Sequence, residues 1–227
     1  MAPEPLQSRP YRGVSHDERR AQRRTQLIEA AIAVYGERGY RQATVKAVCE
    51  AAGLTERYFY ESFGNSEELL IASYNAVTYG VLEEITSAGH AAGRNRVARA
   101  RAMLHAYFAA LQREPRSARV FLVEIRGVSR AVDKAFDASL RDIGARVGEL
   151  VAPPDTPSDP LLEAGIVGAI IHIALRWIED GYAPAIDTVI DSALSLGMVW
   201  TRPPQTVRDD VDADAVGADA VGQGAAD

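Results

Sequence analysis

The strongest constraint on this fold is the segment from Thr44 to Leu70, where two short helices are predicted on either side of Gly53. Thr44 is a favourable N-cap for the first helix, and Gly53 readily adopts the left-handed conformation that ends it. Thr55 then caps the second helix. The small side chain of Cys49, four residues before Gly53, lets the two helices pack closely. This spacing predicts a helix-turn-helix, a motif whose second helix enters the major groove in DNA-binding proteins.

The pattern continues on both sides of the turn. A preceding helix ends in GERGY at residues 36–40, the second helix closes with AAGL at 51–54, and YFYESF occupies 58–63. The sequence GNSEELL at 64–70 begins a further, long helix. Over residues 24–70 the chain resembles the DNA-binding domain of the TetR (tetracycline-repressor) family of one-component bacterial regulators. The apolar side of the preceding helix, which also carries the resemblance, comprises Leu27, Ile28, Ala30, Ala31 and Tyr35.

Helical patterns fill most of the remaining chain, and no segment has a persuasive strand pattern. Ser15 and Glu18 form a capping box that starts the first helix near His16. Four prolines between residues 153 and 160 impose a loop. We therefore predict an all-α fold of about nine helices, the number that the resemblance also implies. The predicted organisation is a disordered basic extension at 1–14, a helix-turn-helix domain at 15–64, a helical ligand-binding and dimerisation domain at 65–202, and a disordered acidic tail at 203–227.

Two internal boundaries are less regular. The long helix from Ser66 is predicted to end near Ala88, with a break at residues 89–95. Pro115 favours the first position of a helix, and this helix is predicted to end near Gly127.

The charge of the chain is divided unevenly along its length. Residues 1–64 contain ten Lys+Arg and eight Asp+Glu, a balance of +2. Residues 65–227 contain fifteen Lys+Arg and twenty-three Asp+Glu, a balance of −8. The two balances sum to the net charge of −6. DNA binding needs a basic surface on one part of a protein rather than a basic protein. The asymmetry therefore favours nucleic-acid binding by the N-terminal part.

The sequence lacks the features of several other functional classes. Its single cysteine excludes an internal disulfide and a cysteine-rich zinc site. It contains no nucleophile elbow, phosphate loop or metal motif, so we predict no enzymatic activity, no cofactor and no bound metal. The N-terminus has no apolar signal-peptide region, and the apolar segment 161–178 is interrupted by Glu163, His172 and Arg176. We therefore predict a cytoplasmic protein without a membrane span.

The resemblance implies a set of DNA-contacting residues around the two short helices. Arg57 is the best candidate for a bidentate contact with guanine, and Tyr60 for a hydrogen bond to a phosphate. The alternatives are that Arg57 and Lys46 are ordinary solvated charges and that Tyr58 only packs. Ser66 stands where family members often place a lysine, so a hydroxyl and a helix N-terminus replace a cation there. The implied DNA-binding residues are Thr44, Lys46, Thr55, Arg57, Tyr58, Tyr60, Ser62 and Ser66, while Glu56 either reads a cytosine or only avoids the backbone.

An arginine-rich run precedes the first helix and continues along it. Basic arms of other DNA-binding proteins follow the DNA backbone or enter the minor groove. We hypothesise the same role for the N-terminal extension, the alternative being a solvated tail and helix face. The run comprises Arg9, Arg12, Arg19, Arg20, Arg23 and Arg24.

The last two predicted helices, at about 160–180 and 184–200, carry apolar side chains on more than one face. Such a helix must be covered twice, once by its own domain and once by something else. The resemblance implies that these helices pair with their symmetry mates, giving a homodimer that reads a palindromic operator in double-stranded DNA. In the first of them, one stripe is Leu162, Ile166, Ala169, Ile173 and Trp177, and the other is Leu161, Gly165, Gly168, His172 and Leu175.

The middle of the chain supplies candidates for the wall of a ligand cavity, with ordinary core packing as the alternative for each. The resemblance implies a ligand-responsive transcriptional regulator, usually a repressor released from its operator by a small, partly apolar effector. The fourth helix would couple the cavity to the DNA-binding domain. A DNA-binding protein without small-molecule input, a transcriptional activator and an enzyme on a helical scaffold are the other hypotheses. The candidate ligand-binding residues are Met103, His105, Tyr107, Phe108, Phe121, Phe136 and Trp177.

Overall fold

The computed structural model describes residues 15–153 and 157–201, and this part of the chain contains nine α-helices and no strand. The predicted all-α fold is therefore confirmed. A 3-10 turn, Tyr40–Gln42, follows the first helix, and a π-helical segment, Val120–Glu124, follows the sixth. The helices are α1 His16–Arg38, α2 Val45–Ala52, α3 Glu56–Ser62, α4 Ser66–Ala91, α5 Arg96–Arg113, α6 Pro115–Arg119, α7 Arg130–Val151, α8 Pro160–Glu179 and α9 Ile186–Thr201.

Side-chain caps set the helix starts that the sequence predicted. Ser15 Oγ accepts a hydrogen bond from the Glu18 N–H at 3.1 Å, and the Glu18 carboxylate accepts one from the Ser15 N–H, which completes the capping box. Thr44 caps α2 by accepting from the Ala47 N–H at 3.1 Å. Gly53 ends α2 with a φ of 64°, in the left-handed region that favours glycine. These local contacts place the turn between α2 and α3 where the sequence predicted it.

Two other helix starts differ from the expected pattern in their hydrogen bonds. Thr55 precedes α3, but within the described chain its side chain makes no cap bond. Asn65 caps α4 by accepting a hydrogen bond from the Glu68 N–H at 2.9 Å. The Glu68 carboxylate instead accepts from the Gly64 N–H at 2.8 Å, one residue earlier than a capping box requires.

The predicted boundaries in the middle of the chain are corrected by tertiary packing. α4 continues through Ala91 instead of ending near Ala88, because Gly89 lies buried within the helix against Met103. The single helix predicted from Pro115 towards Gly127 is α6 followed by the π-helical segment. The π turn rotates the chain so that Phe121 and Glu124 face different parts of the molecule, as described below.

The first three helices share one apolar core. α1 packs against both α2 and α3, with Leu27, Val48 and Phe59 among the fully buried side chains. Cys49 is buried between the helices as a free thiol, as its small size predicted. Burial of each large apolar side chain contributes roughly 1.5–3 kcal/mol. This core holds α3 as a short helix on the surface of the N-terminal domain.

α4 connects the two halves of the molecule. It contacts α1 on one side and α5, α7 and the π-helical segment on the other. Leu69, Leu70 and Tyr74 are fully buried in these contacts. α8 and α9 pack on each other and on α7 and α5, which completes the helical region behind the N-terminal domain.

α8 has one covered face and one exposed face. Ile166 and Trp177, from one predicted stripe, are buried, whereas Leu161, from the other, is 87% exposed. Gly165 and Gly168 lie on the exposed side. Among the described residues, α8 is the one helix whose length and composition would suit a membrane crossing. Its packing against α7 and α9 accounts for its inward apolar face as part of the helical region.

The predicted terminal segments lie outside the described residues. They are the basic extension at 1–14, which includes Arg9 and Arg12, and the acidic tail at 203–227.

Candidate nucleic-acid interface

α3 presents its side chains on two opposite faces. Phe59 is 0% exposed, and Phe63, directly after the helix, is buried beside it with ring centroids 5.9 Å apart. On the other face, the Tyr60 side chain is 61% exposed and that of Arg57 is 84% exposed. The helix is therefore fixed by its aromatic face and offers a cation and a phenol to a partner in solution.

Within the described residues, the exposed cations Lys46 and Arg57 of the helix-turn-helix form only weak surface pairs. Arg57 Nε lies 3.1 Å from Glu61 Oε1 within α3, and Lys46 Nζ lies 3.9 Å from Glu50 Oε1 within α2. Exposed ion pairs of this kind contribute about 0–1 kcal/mol. Either cation can therefore exchange its carboxylate for a DNA phosphate or a base edge at little cost.

Tyr58 is half-buried and packs under an arginine. The guanidinium carbon of Arg23 lies 4.4 Å from the centroid of the Tyr58 ring. This contact supports the packing alternative for Tyr58, which is partly exposed. The predicted contact between Tyr58 and DNA stays a prediction.

Arginines of α1 hold the C-terminal end of α3. Arg20 Nη2 donates to the Glu61 carbonyl at 2.7 Å, and Arg24 Nη1 donates to the Ser62 carbonyl at 3.2 Å. The guanidinium of Arg24 also lies 4.1 Å from the centroid of the Phe63 ring. Cations at a helix C-terminus satisfy its free carbonyls and interact favourably with its dipole. These arginines belong to the run that was hypothesised to contact DNA, and in the structure they orient α3.

The four hydroxyl residues predicted to contact DNA occupy different positions. Thr44 and Thr55 are exposed at the starts of α2 and α3, and the Thr44 hydroxyl is engaged by its cap bond. Ser66 Oγ lies 3.2 Å from Tyr40 Oη. The Ser62 hydroxyl is buried and has no hydrogen-bond partner among the described residues. Of these hydroxyls, that of Ser62 points into the protein instead of towards a duplex.

A cavity of about 90 Å³ lies between α4, α5, α7, α8, α9 and the π-helical segment. Met103, Tyr107 and Phe121, three of the predicted ligand-binding residues, form part of its wall. Thr78 of α4 also lines it, and no helical pattern singled this residue out. The hydroxyl groups of Thr78 and Tyr107 are the polar groups of an otherwise apolar wall.

The other predicted ligand-binding residues lie away from this wall. His105 is exposed on the outer side of α5. Phe108 packs edge-on against Trp177 with ring centroids 5.6 Å apart, and the Trp177 indole N–H donates to the Pro184 carbonyl at 2.8 Å. Phe136 packs against Tyr74 at 5.9 Å. Phe108, Phe136 and Trp177 therefore pack with other side chains of the core, the alternative that the sequence left open for them. A ligand-binding role for these residues and for His105 stays a prediction.

The helix-turn-helix segment matches a known protein family. Residues 27–73, which span most of α1, all of α2 and α3 and the start of α4, match the family of bacterial regulatory proteins described as the tetR family. The N-terminal domain belongs to the TetR family. No curated protein sequence matches the chain.

Solved structures share the TetR fold over most of the chain. The fatty acid degradation regulator FadR from Bacillus halodurans has a TM-score of 0.67 at 20% identity, covering 79% of this chain and 97% of its own. FadR from Bacillus subtilis, solved in complex with stearoyl-CoA, has a TM-score of 0.65 at 18% identity, covering 76% and 96%. A TetR-like transcriptional regulator from Rhodococcus sp. RHA1 has a TM-score of 0.62 at 21% identity, covering 78% and 94%. At these identities the likeness establishes the fold.

A clasp of polar contacts joins the TetR domain to the helical region. We use this name for Glu37, Gly39, Tyr40, Arg119 and Glu124. Glu124 Oε2, in the π-helical segment, accepts from the Tyr40 N–H at 2.7 Å, and Glu124 Oε1 accepts from Arg119 Nε at 2.8 Å. Arg119 Nη1 in turn donates to the Glu37 carbonyl at 3.4 Å, near the C-terminus of α1.

Further contacts reinforce this joint. Arg41, in the 3-10 turn after α1, donates from Nη2 to the Gly127 carbonyl at 3.1 Å. Ser129 Oγ donates to Glu67 Oε2 at 2.8 Å, which ties the start of α7 to the start of α4. The TetR domain is thus held to the helical region by α4 and by the clasp.

Proposed function

We propose that this protein is a homodimeric transcriptional repressor that leaves a palindromic operator when a small, partly apolar effector fills the cavity. The exposed face of α3, with Arg57 and Tyr60 directed outwards, supports DNA reading. The TetR-family identity of the domain supports a regulatory role. Operator DNA in bacteria lies in the cytoplasm, and we propose that the protein acts there.

The exposed face of α8 supports the proposed dimer. Leu161 is almost fully exposed, and the positions where Cβ atoms would lie on Gly165 and Gly168 have no described atom within 4 Å. An uncovered apolar face with small residues allows a second helix to approach closely. Pairing of α8 and α9 with their symmetry mates would cover this face and set two copies of α3 about one DNA turn apart.

The wall of the cavity and the clasp share one short segment. Phe121 lines the cavity and stacks on Tyr74 of α4 with ring centroids 5.8 Å apart. Glu124, three residues later in the same π-helical segment, accepts the hydrogen bond from the Tyr40 N–H after α1. An effector that displaces Phe121 would therefore move both α4 and the clasp, and an effector acts only through such differences between the two states. FadR from Bacillus subtilis, which has the same fold, was solved with stearoyl-CoA, and this supports a ligand-responsive role.

Footprinting of the DNA flanking the gene tests the proposed function directly. We expect protection of a palindrome whose half-sites lie about 10 base pairs apart, or a multiple of that spacing. Protection should weaken when an effector is added. Protection of no palindrome would refute the operator model, and protection that no apolar compound weakens would favour a DNA-binding protein without small-molecule input.

Glu124→Ala should weaken the joint between the two regions without altering the DNA-reading face. The substitution removes the acceptor of the Tyr40 N–H and the partner of Arg119, which costs about 1–3 kcal/mol when a partly buried donor is left unpaired. We expect the free energy of unfolding, measured in urea, to fall by this amount. We also expect operator affinity to fall several-fold, because α1 is no longer fixed.

Glu84→Ala is the matched control for this substitution. Glu84 Oε1 lies 2.7 Å from Arg113 Nη2. The substitution therefore also deprives an arginine of its carboxylate partner, but at an exposed ion pair within the helical region. We expect a change within about 1 kcal/mol and unaltered operator affinity. Equal effects of the two substitutions would show that the clasp has no special role.

A further inference from the structure

Two buried hydroxyl groups in the cavity have no hydrogen-bond partner in the part of the chain that the structure describes. Tyr107 of α5 is 6% exposed and Thr78 of α4 is 8% exposed, and neither Tyr107 Oη nor Thr78 Oγ1 finds an acceptor or donor among the described residues. Buried hydroxyls are nearly always paired, since an unpaired one loses its bonds to water and gains none. Two such groups on one cavity wall indicate a polar atom that belongs there.

The neighbouring tyrosine does not satisfy these groups. Tyr74 Oη is hydrogen-bonded to Ser139 Oγ. Burial raises the pKa of the Tyr74 phenol, and Ser139 and Thr78 partly oppose the rise. Thr78 Oγ1 nevertheless has no hydrogen-bond partner among the described residues, Tyr74 included. The two hydroxyls therefore remain available to a third molecule.

The protonation state of the Tyr107 phenol follows from its burial. Burial raises the pKa of Tyr107, and the neighbouring Tyr74 adds to the rise. Tyr107 is therefore protonated at neutral pH and offers a hydrogen-bond donor. The Thr78 hydroxyl can donate or accept.

The rest of the wall is apolar and uncharged. Apart from Thr78 and Tyr107, every residue of the described chain that lines the cavity is aliphatic, aromatic or methionine. An ionised group enclosed by such a wall would lose its hydration without a counter-charge, which is strongly unfavourable. The absence of a facing charge among these lining residues selects against a carboxylate.

We propose that the cavity binds an uncharged molecule with an aliphatic body and one oxygen, a ketone or an alcohol, whose oxygen pairs with Tyr107 and Thr78. The proposal rests on the proposed ligand response and specifies its chemistry. The polar atom is held between α4 and α5, and the aliphatic body extends along the apolar wall towards α8. Stearoyl-CoA, the ligand of FadR from Bacillus subtilis, differs from this class in its charged nucleotide.

The cavity is small, so it must expand to admit the proposed ligand. About 90 Å³ corresponds to only a few molecules of liquid water, at roughly 30 Å³ each. A ligand with about eight carbons, the size of the probes proposed below, therefore has to displace part of the wall. Met103 is suited to this movement because its side chain is unbranched and flexible. Phe121 lies in the same wall, so an expansion of the cavity reaches the π-helical segment.

The stability of the ligand-free protein provides the first test. Tyr107→Phe removes an unpaired hydroxyl and keeps the ring, so we expect the melting temperature of the full-length protein to stay unchanged or rise. Tyr74→Phe is the matched control, because it removes a hydroxyl that is paired with Ser139, and it should lower the melting temperature. A lower melting temperature for Tyr107→Phe would show that its hydroxyl is already satisfied and would overturn the proposal.

Direct binding of a probe series, measured by calorimetry, provides the second test. The probes are 2-octanone, 1-octanol, octane, octanoate and octanoyl-CoA. We expect 2-octanone and 1-octanol to bind, octanoate to bind at least tenfold more weakly, and Tyr107→Phe to weaken 2-octanone about five- to tenfold. Octane binding should not weaken in the same variant, since octane makes no hydrogen bond.

The outcomes separate this proposal from the proposed function. Binding of octanoate or octanoyl-CoA in preference to 2-octanone would overturn the proposal, as would equal affinity of 2-octanone for the wild type and Tyr107→Phe. Failure of every probe to bind would overturn it as well. If 2-octanone binds as expected but leaves the operator footprint unchanged, the ligand chemistry stands and the ligand-responsive function fails.

Discussion

Gly36→Ala is expected to lower the free energy of unfolding by about 1–3 kcal/mol, although alanine is the better helix former. Gly36 lies near the end of α1, where α6 crosses it. An added Cβ would lie 2.5 Å from Arg116 Cβ, 2.6 Å from the Arg116 carbonyl oxygen and 2.7 Å from Arg116 Cα. Because two of these atoms belong to the backbone, α1 and α6 must separate. Chemical denaturation of the full-length protein measures the loss.

The same substitution should also reduce operator binding, since α1 carries the arginines that orient α3. Gly80→Ala is the matched control. Gly80 lies within α4, and no described atom comes within 4 Å of its added Cβ. We expect Gly80→Ala to stabilise the protein by up to about 1 kcal/mol through helix propensity alone. If Gly36→Ala stabilises the protein to the same extent, α1 and α6 do not pack as closely as described.

Arg57→Ala is expected to reduce affinity for the operator about 10- to 100-fold, the loss of roughly 1–3 kcal/mol that a bidentate base contact provides. The Arg57 side chain is largely exposed, and among residues 15–153 and 157–201 its ion-pair partner is Glu61. Its removal should therefore leave the free energy of unfolding nearly unchanged. Fluorescence anisotropy with the footprinted palindrome and with scrambled DNA measures the two affinities.

The two DNAs distinguish the roles open to Arg57. A base contact predicts a loss on the palindrome and little change on scrambled DNA, whereas a phosphate contact predicts similar losses on both and a salt dependence reduced by about one counterion. Arg146→Ala is the control, because Arg146 Nε also lies 3.1 Å from a carboxylate one turn away, that of Asp142, but on α7. An equal loss in the control would mean that Arg57 has no place in the interface.

Much of the N-terminal domain could be predicted because its determinants are local. Ser15, Thr44 and Asn65 cap their helices through hydrogen bonds that span three residues, and Gly53 ends α2 through its own backbone conformation. The apolar spacing of α1 was sufficient to place Leu27 on its buried side. The predicted all-α fold and the TetR resemblance follow from these same short segments.

The roles of particular polar residues could not be predicted in this way. Arg20 and Arg24 read as part of a basic run, yet they bond to carbonyls 41 and 38 residues away at the end of α3. Thr78 has no distinguishing sequence context, and only the packing of α4 against α5 places it on the same cavity wall as Tyr107. Among the aromatic candidates, periodicity marks residues as buried but does not say whether they face another side chain or a cavity.

The sequence by itself determined the helices, their caps, the helix-turn-helix and its family, because each depends on residues within a few positions of one another. The tertiary structure alone decided how these parts are joined. Tyr40 and Glu124 are 84 residues apart in the chain, and the bond between them requires both the end of α1 and a π turn. Such a contact depends on the approach of two separate helices, and no pattern within either segment encodes it.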